Sequence, residues 1–190
     1  MNNLILIRHG QSIWNLERRF TGWADVDLTD HGKSEAKYAG QLIKKLNIKF
    51  DVYFTSVQIR AIDTLEIILD ILNKKNSEIK KAWELNERHY GALTGLNKDE
   101  MMKKHGEKQV HIWRRSFDVP PPPMEKTNLN HPSKNKAYIN IPTSKIPSSE
   151  SLKNTFERVI PYYEKNIKPL LSFSKNVLIS AHGNSLRALC

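Results

Sequence analysis

Residues 3–12 read NLILIRHGQS and residues 176–185 read NVLISAHGNS. In both, an apolar run proceeds without alternation, the pattern of a strand covered on both faces in a parallel sheet. Both then stop at a His-Gly pair, His9-Gly10 and His182-Gly183. Ligands of parallel α/β sheets bind beyond the carboxyl ends of the strands, so the two imidazoles are expected to meet in one crevice. A glycine after each histidine lets the backbone turn sharply and come close to a ligand. One such ending alone reads more readily as an incidental turn, whereas two matching endings favour a site. His9 is open at this point as a nucleophile, a metal ligand or a loop residue.

The elements between these two runs alternate. After Thr29, which with Asp30 is a candidate N-cap, Ala36, Ala39, Leu42, Ile43 and Leu46 recur at helical spacing. DVYFTS at 51–56 reads as a strand, and VQIRAIDTLEIILDILN repeats Ile59, Ile62, Leu65, Ile68 or Leu69, and Leu72 on one helical face behind a Ser56 cap. A short strand is expected within KAWELNE, ahead of Glu87, then a loop and a helix from about Lys98. Residues 117–150, rich in Pro, Asn, Ser and Lys, read as a surface insertion. A helix with Leu152, Phe156, Val159 or Ile160, and Tyr163 on one face follows, and Pro161 is expected to kink it. Together these predict one α/β domain over residues 1–190, a three-layer sandwich with a mostly parallel central sheet and helices on both faces.

The single cysteine, Cys190, excludes an intrachain disulfide, and no apolar stretch approaches the ~18 residues of a membrane helix. The expectation is a cytoplasmic protein with no membrane partner. A net charge of +10 raises nucleic acids and anionic metabolites as ligands. Lysines are scattered in pairs such as Lys44-Lys45 and Lys103-Lys104, as on solvated faces. The nine arginines differ: Arg8, Arg60, Arg88, Arg114, Arg115 and Arg187 fall in or beside short unusual motifs, and guanidinium forks suit phosphate and carboxylate. This points to a concentrated anion site, and with no basic run interleaved with aromatics, nucleic acid is not the expected partner.

Arg60 follows a strand end in the first turn of a helix, where free N–H groups favour anions. Glu87, in LNERHYGALTG, is a candidate proton carrier or an ion-paired loop residue. Arg114-Arg115 are a candidate clamp or an exposed basic turn. Metal binding is not expected, since the seven histidines form no short ligand pair and thiolate sites need more than one cysteine. G-x-x-x-x-G-K-[ST] and G-x-G-x-x-G are both absent, so phosphate chemistry must rest on side chains.

RHGQS at 8–12 with Asn15, RFTGWADVDLTDHG at 19–32, TSVQIRAIDT, LNERHYGALTGLNK, WRRSFDVPPP and AHGNSLRAL occur in this order along nearly the whole chain. In them the sequence resembles the histidine phosphatase superfamily, specifically its phosphoglycerate mutase branch. RHG alone indicates the superfamily; NERHYGALTGLNK and WRRSFDVPPP are specific to the cofactor-dependent mutases.

The resemblance implies an isomerase of glycolysis and gluconeogenesis that interconverts 3-phosphoglycerate and 2-phosphoglycerate, primed by 2,3-bisphosphoglycerate and without a metal. It implies that His9 is phosphorylated, that Arg8, Arg60 and His182 surround the phosphoryl group, and that Glu87 moves the hydroxyl proton. Ser12, Asn15, Thr21, Gly22, Arg88, His89, Tyr90, Lys98, Arg114, Arg115, Gly183 and Asn184 are the implied substrate contacts, residues 117–150 a cover over the site, and a homodimer the implied assembly. The family continues past HGNSLRAL through a helix, edge strands and a basic tail, which these 190 residues are expected to lack, leaving the Leu4 strand or its neighbour at a sheet edge. A broad phosphomonoesterase and a catalytically inactive relative are the alternatives.

Overall fold

The computed structural model describes residues 2–190. Strands β1 (Leu4–Arg8), β2 (Val52–Thr55), β3 (Ile79–Lys81) and β4 (Val177–Ala181) form one all-parallel sheet in the order β1-β4-β2-β3. Leu6 pairs with Ile179, and Ile179 with Phe54, so β1, β4 and β2 end level. The helices are α1 (Ile13–Leu16), α2 (Asp30–Lys45), α3 (Ile59–Ile71), α4 (Lys98–His105), α5 (Glu107–Arg115), α6 (Leu152–Asn166), α7 (Lys168–Ser172) and α8 (Gly183–Leu189).

Alternation along the strands sends side chains to two cores. Leu4, Leu6, Phe54, Val177 and Ile179 pack with Val159 and Ile167 of the α6 side and Ala188 of α8. Ile5, Ile7, Tyr53 and Leu178 pack with Ile43 of α2 and Leu65, Ile68 and Leu69 of α3. This is the three-layer arrangement that the non-alternating runs predict, because a strand flanked by helices needs apolar residues on both faces.

Several local expectations shift. β4, with a neighbour on each side, is buried throughout; β1 lies at the sheet edge, the place expected of the Leu4 strand or its neighbour, but its residues are only partly covered and not buried on both faces. The short strand falls at 79–81, ending at the first residue of KAWELNE, whose Trp83–Leu85 instead forms a 3-10 turn. Gln58, not Ser56, is the N-cap of α3 and makes no side-chain cap bond. Thr29 caps α2 by accepting from the Gly32 N–H, with Asp30 in the first turn. α6 runs unbroken through Pro161, since one lost N–H bond is outweighed by the packing of Val159, Tyr162 and Tyr163 on the sheet.

Residues 117–150 do not lie on the surface throughout. Between short 3-10 turns they bury Met124, His131, Pro132, Tyr138 and Glu150. Tyr138 stacks on Trp23 at 5.1 Å and donates its hydroxyl proton to the Trp23 carbonyl at 2.9 Å.

Candidate active site

β1, β2 and β4 deliver three segments to one cavity of about 340 Å³ at their carboxyl ends. Arg8 and His9 arrive at the end of β1, Arg60 in the first turn of α3 after β2, and Gly183 and Asn184 at the start of α8 after β4. Asn15, Thr21 and Gly22 close one side, Glu87 and Tyr90 another. Lys98 opens α4, Arg114 and Arg115 end α5, and all three line the mouth.

His9 is 5% exposed, and its Nδ1 lies 2.6 Å from the Gly10 carbonyl. A carbonyl only accepts, so Nδ1 carries the proton and Nε2 keeps its lone pair. His182 sits behind it, fully buried, with ring centroids 4.9 Å apart. Its Nε2 is 2.8 Å from Ser56 Oγ, while its Nδ1 has no partner among the described residues. Burial first, and then the charge of Arg60, hold both imidazoles well below the ordinary histidine range, so both are neutral at pH 7.

The close approach of the His9 loop requires its glycine. Gly10 donates its N–H to Thr64 Oγ1 at 3.1 Å, and a Cβ built on Gly10 would stand 2.2 Å from the Gly32 carbonyl oxygen.

Arg60 is 1% exposed and its guanidinium is clamped from behind, donating to the Gly22 carbonyl at 2.8 Å and the Ala24 carbonyl at 2.9 Å. No carboxylate pairs with it among the described residues, and its Nε has no partner. A buried, unpaired guanidinium is costly unless an anion meets it. Thr21 Oγ1 is likewise buried without a partner. Together with His182 Nδ1, these unmatched polar atoms fit an anionic ligand.

Glu87 Oε1 accepts from the Arg88 N–H at 2.8 Å and from Asn184 Nδ2 at 2.8 Å, and Asn184 Nδ2 also reaches the Tyr90 hydroxyl at 3.3 Å. At the mouth, burial and the neighbouring Arg114, Arg18 and Arg8 push Lys98 down to about 8.

Three of the residues expected to contact substrate do not line the cavity. Ser12 is fully buried as the N-cap of α1. Arg88 is buried with its guanidinium 4.8 Å over the Tyr90 ring and donates to the Arg114 carbonyl at 3.0 Å. His89 is buried against Trp23 and donates its backbone N–H to Glu150. Each supports the wall from behind it. His182 also lies below the cavity surface, but against His9.

Conversely, the cavity includes Arg19, Phe20 and Arg187. Arg187 sits one turn beyond Gly183 and Asn184, so helical spacing alone places it on the same face. Arg19 and Phe20 open the RFTGW stretch.

In all, six of the nine arginines but only Lys98 of the lysines line the cavity, with Glu87 its one carboxylate. No residue of 117–150 forms part of the wall: the segment braces Trp23 and His89 instead of covering the opening. Among the described residues, no cluster of three or more His, Cys, Asp or Glu side chains is placed to hold a metal ion, and no helix is long and apolar enough to cross a membrane.

Residues 4–130 match the family model described as the histidine phosphatase superfamily (branch 1). Over all 190 residues the chain is 56% identical to a 2,3-bisphosphoglycerate-dependent phosphoglycerate mutase of Pelagibacter ubique (strain HTCC1062), covering 79% of that protein. It is 57% identical over 189 residues to a protein of the same name from Erythrobacter litoralis (strain HTCC2594), covering 82% of it. Among solved structures, a phosphoglycerate mutase from Bacillus anthracis str. Sterne superposes with a TM-score of 0.73 at 22% identity, over 99% of this chain and 78% of that one, a likeness of fold.

Proposed function

The chain belongs to the histidine phosphatase superfamily, among its 2,3-bisphosphoglycerate-dependent phosphoglycerate mutases, and interconverts phosphoglycerates; we propose that it does so through a phosphohistidine on His9. The observation that supports this most directly is the His9 imidazole. Its Nδ1 proton is tied to the Gly10 carbonyl and its Nε2 lone pair faces a cavity walled by arginines.

His9 Nε2 attacks the phosphorus of a bound phosphoester in line with the departing oxygen. As the P–O bond breaks, Glu87 gives that oxygen its proton, and the phosphoryl group rests on Nε2. The Gly10 carbonyl stabilises the positive charge that develops on the ring. Arg8, Arg60 and the Nδ1–H of His182 meet the equatorial oxygens, where the charge of the transition state spreads. In the return step Glu87 takes a proton from the other hydroxyl, that oxygen attacks phosphorus, and the P–N bond breaks to restore neutral His9.

3-Phosphoglycerate and 2-phosphoglycerate are the isomers exchanged. Lys98, Arg114 and Arg115 at the mouth are placed for the carboxylate and second phosphate, with Asn15, Thr21, Gly22, Tyr90, Gly183 and Asn184 completing the contact surface. 2,3-Bisphosphoglycerate supplies the priming phosphoryl group when bound. No step asks for a metal. We place the enzyme in the cytoplasm, as a homodimer.

Incubation with bisphosphoglycerate labelled in its phosphate tests the reading. The protein should take up acid-labile label at His9, and 3-phosphoglycerate turnover should rise when trace bisphosphoglycerate is added. Label absent from folded protein, or phosphate released with no 2-phosphoglycerate formed, refutes it.

A further inference from the structure

Glu87 lies on a stretch with no helix or strand ladder to hold it, between the 3-10 turn ending at Leu85 and the next 3-10 turn at Gly91–Leu93. Its backbone is nevertheless pinned on every side. The Glu87 N–H donates to Gln58 Oε1 at 2.9 Å, and its carbonyl accepts from Trp23 Nε1 at 2.7 Å and from Arg158 at 3.0 Å.

Arg158 is the centre of this arrangement. It rises from α6, 9% exposed, and donates to three carbonyls of the one loop: Glu84 at 2.6 Å, Asn86 at 3.1 Å and Glu87 at 3.0 Å. Its Nε and Nη2 also donate to Glu150, to Oε1 at 2.6 Å and Oε2 at 2.9 Å. The second carboxylate oxygen also accepts the His89 N–H at 2.8 Å. The guanidinium carbon lies 5.6 Å from the centre of the Trp23 ring.

We propose that Arg158, oriented by Glu150, is a positioning residue that fixes the Glu87 carboxyl where it can exchange a proton with the substrate hydroxyl. The proposal rests on Glu87 being the proton carrier. Arg158 touches no reacting atom, and it lines no part of the active cavity. Its influence travels through the carbonyls it holds: one planar fork fixes three peptide groups at once, which a single-point ammonium does not. The chain on either side of Glu87 is therefore set by α6 and by the end of the 117–150 segment, elements otherwise remote from the chemistry.

This is separable from a merely structural role. A phosphoryl donor such as 2,4-dinitrophenyl phosphate releases a phenolate that departs without a proton, so phosphorylation of His9 by it needs no help from Glu87. Arg158→Lys should lower kcat for phosphoglycerate about 100-fold, the cost of roughly 1 Å of misplacement, with KM within about twofold. Burst phosphorylation by the aryl phosphate should stay within about threefold of the parent. Glu150→Gln, which keeps Arg158 and the side-chain volume, should show the same selectivity to a smaller degree.

In a Glu87→Gln background Arg158→Lys should cause no further loss. Equal loss with both donors, multiplicative loss in the double variant, or undiminished phosphoglycerate turnover overturns the proposal. Undiminished turnover in Glu87→Gln alone would instead overturn the assignment of Glu87.

Discussion

Gly32→Ala is the substitution for which general helix preference and this fold give opposite signs. Gly32 lies in the first turn of α2, where alanine normally adds up to about 1 kcal/mol of stability. Here a Cβ would stand 2.1 Å from the Gln11 carbonyl oxygen and 2.7 Å from the Gln11 nitrogen, both backbone atoms that no rotamer can move. Thr29 fixes the same contact, its N–H donating to the Gln11 carbonyl at 2.9 Å. Widening the contact even to 3.0 Å moves the loop or the helix by about 0.9 Å, two residues from His9. Overpacking of this kind costs ~1–3 kcal/mol, so after the gain in helix propensity the net effect should be a loss of up to about 2 kcal/mol. A shift of that size at the nucleophile should lower kcat up to about 100-fold, with less effect on KM. Urea unfolding and steady-state mutase assays read the two effects. Gly40→Ala is the control, because the nearest atoms to its Cβ would be those of the Ile71 side chain, at 3.1 Å and beyond, and not backbone. A Gly32→Ala protein as stable as the parent, with parental kcat, would refute the claim that the α2 contact sets the position of the His9 loop.

Two pH effects follow from the buried groups. Lys98, held down to about 8, is charged below that pH and loses its proton above it, so kcat/KM should fall above pH 8; in Lys98→Arg, whose guanidinium stays charged, that limb should vanish, and its persistence would remove Lys98 from substrate binding. His89 is pushed by burial to about 4, so the unfolded chain binds its proton first as pH falls. Its contribution to stability is complete above about pH 6.5 and is lost on the way down to 4, roughly 2 kcal/mol of it by pH 5. Urea midpoints at pH 7 and 5, compared between the parent and His89→Gln so that the like contributions of His9 and His182 cancel, check this, and an equal pH dependence in the two proteins would contradict it.

The fold was legible where side-chain periodicity reports directly on cover. Leu4 to Ile7 and Val177 to Ile179 lack alternation because helices pack on both faces of the sheet, and α2 and α3 show their inward stripes. Position within the sheet is not a local property, so nothing in Leu4 to Ile7 distinguishes an edge strand from the central β4. The same reason hid the start of β3: Ile79–Lys81 earns its strand geometry from pairing with Tyr53 to Thr55, not from its own composition.

Residues 117–150 carry few apolar residues and read as surface, yet Tyr138 and Glu150 are buried by partners distant in sequence, Trp23 and Arg158. At the site, most motif residues that line the cavity were legible, but Arg19, Phe20 and Arg187, in the same motifs, were not. Ser12, Arg88 and His89 belong to the same motifs but face away, a distinction of orientation that a motif does not encode.

The electrostatics of the cavity join binding to chemistry. A nucleophilic imidazole must be neutral, yet it has to work beside a dianionic phosphoryl group, which by itself would favour protonation of the ring. Arg60 opposes that tendency: its charge and the burial of the site disfavour a proton on either histidine. The same guanidinium, held from behind by the Gly22 and Ala24 carbonyls, needs no reorganisation to meet the phosphoryl oxygens. One fixed cation thus keeps His9 able to attack and compensates the charge that attack develops. Lysine, a flexible and strongly hydrated point charge, meets neither requirement as well, and the preponderance of arginine in the cavity wall has this physical basis.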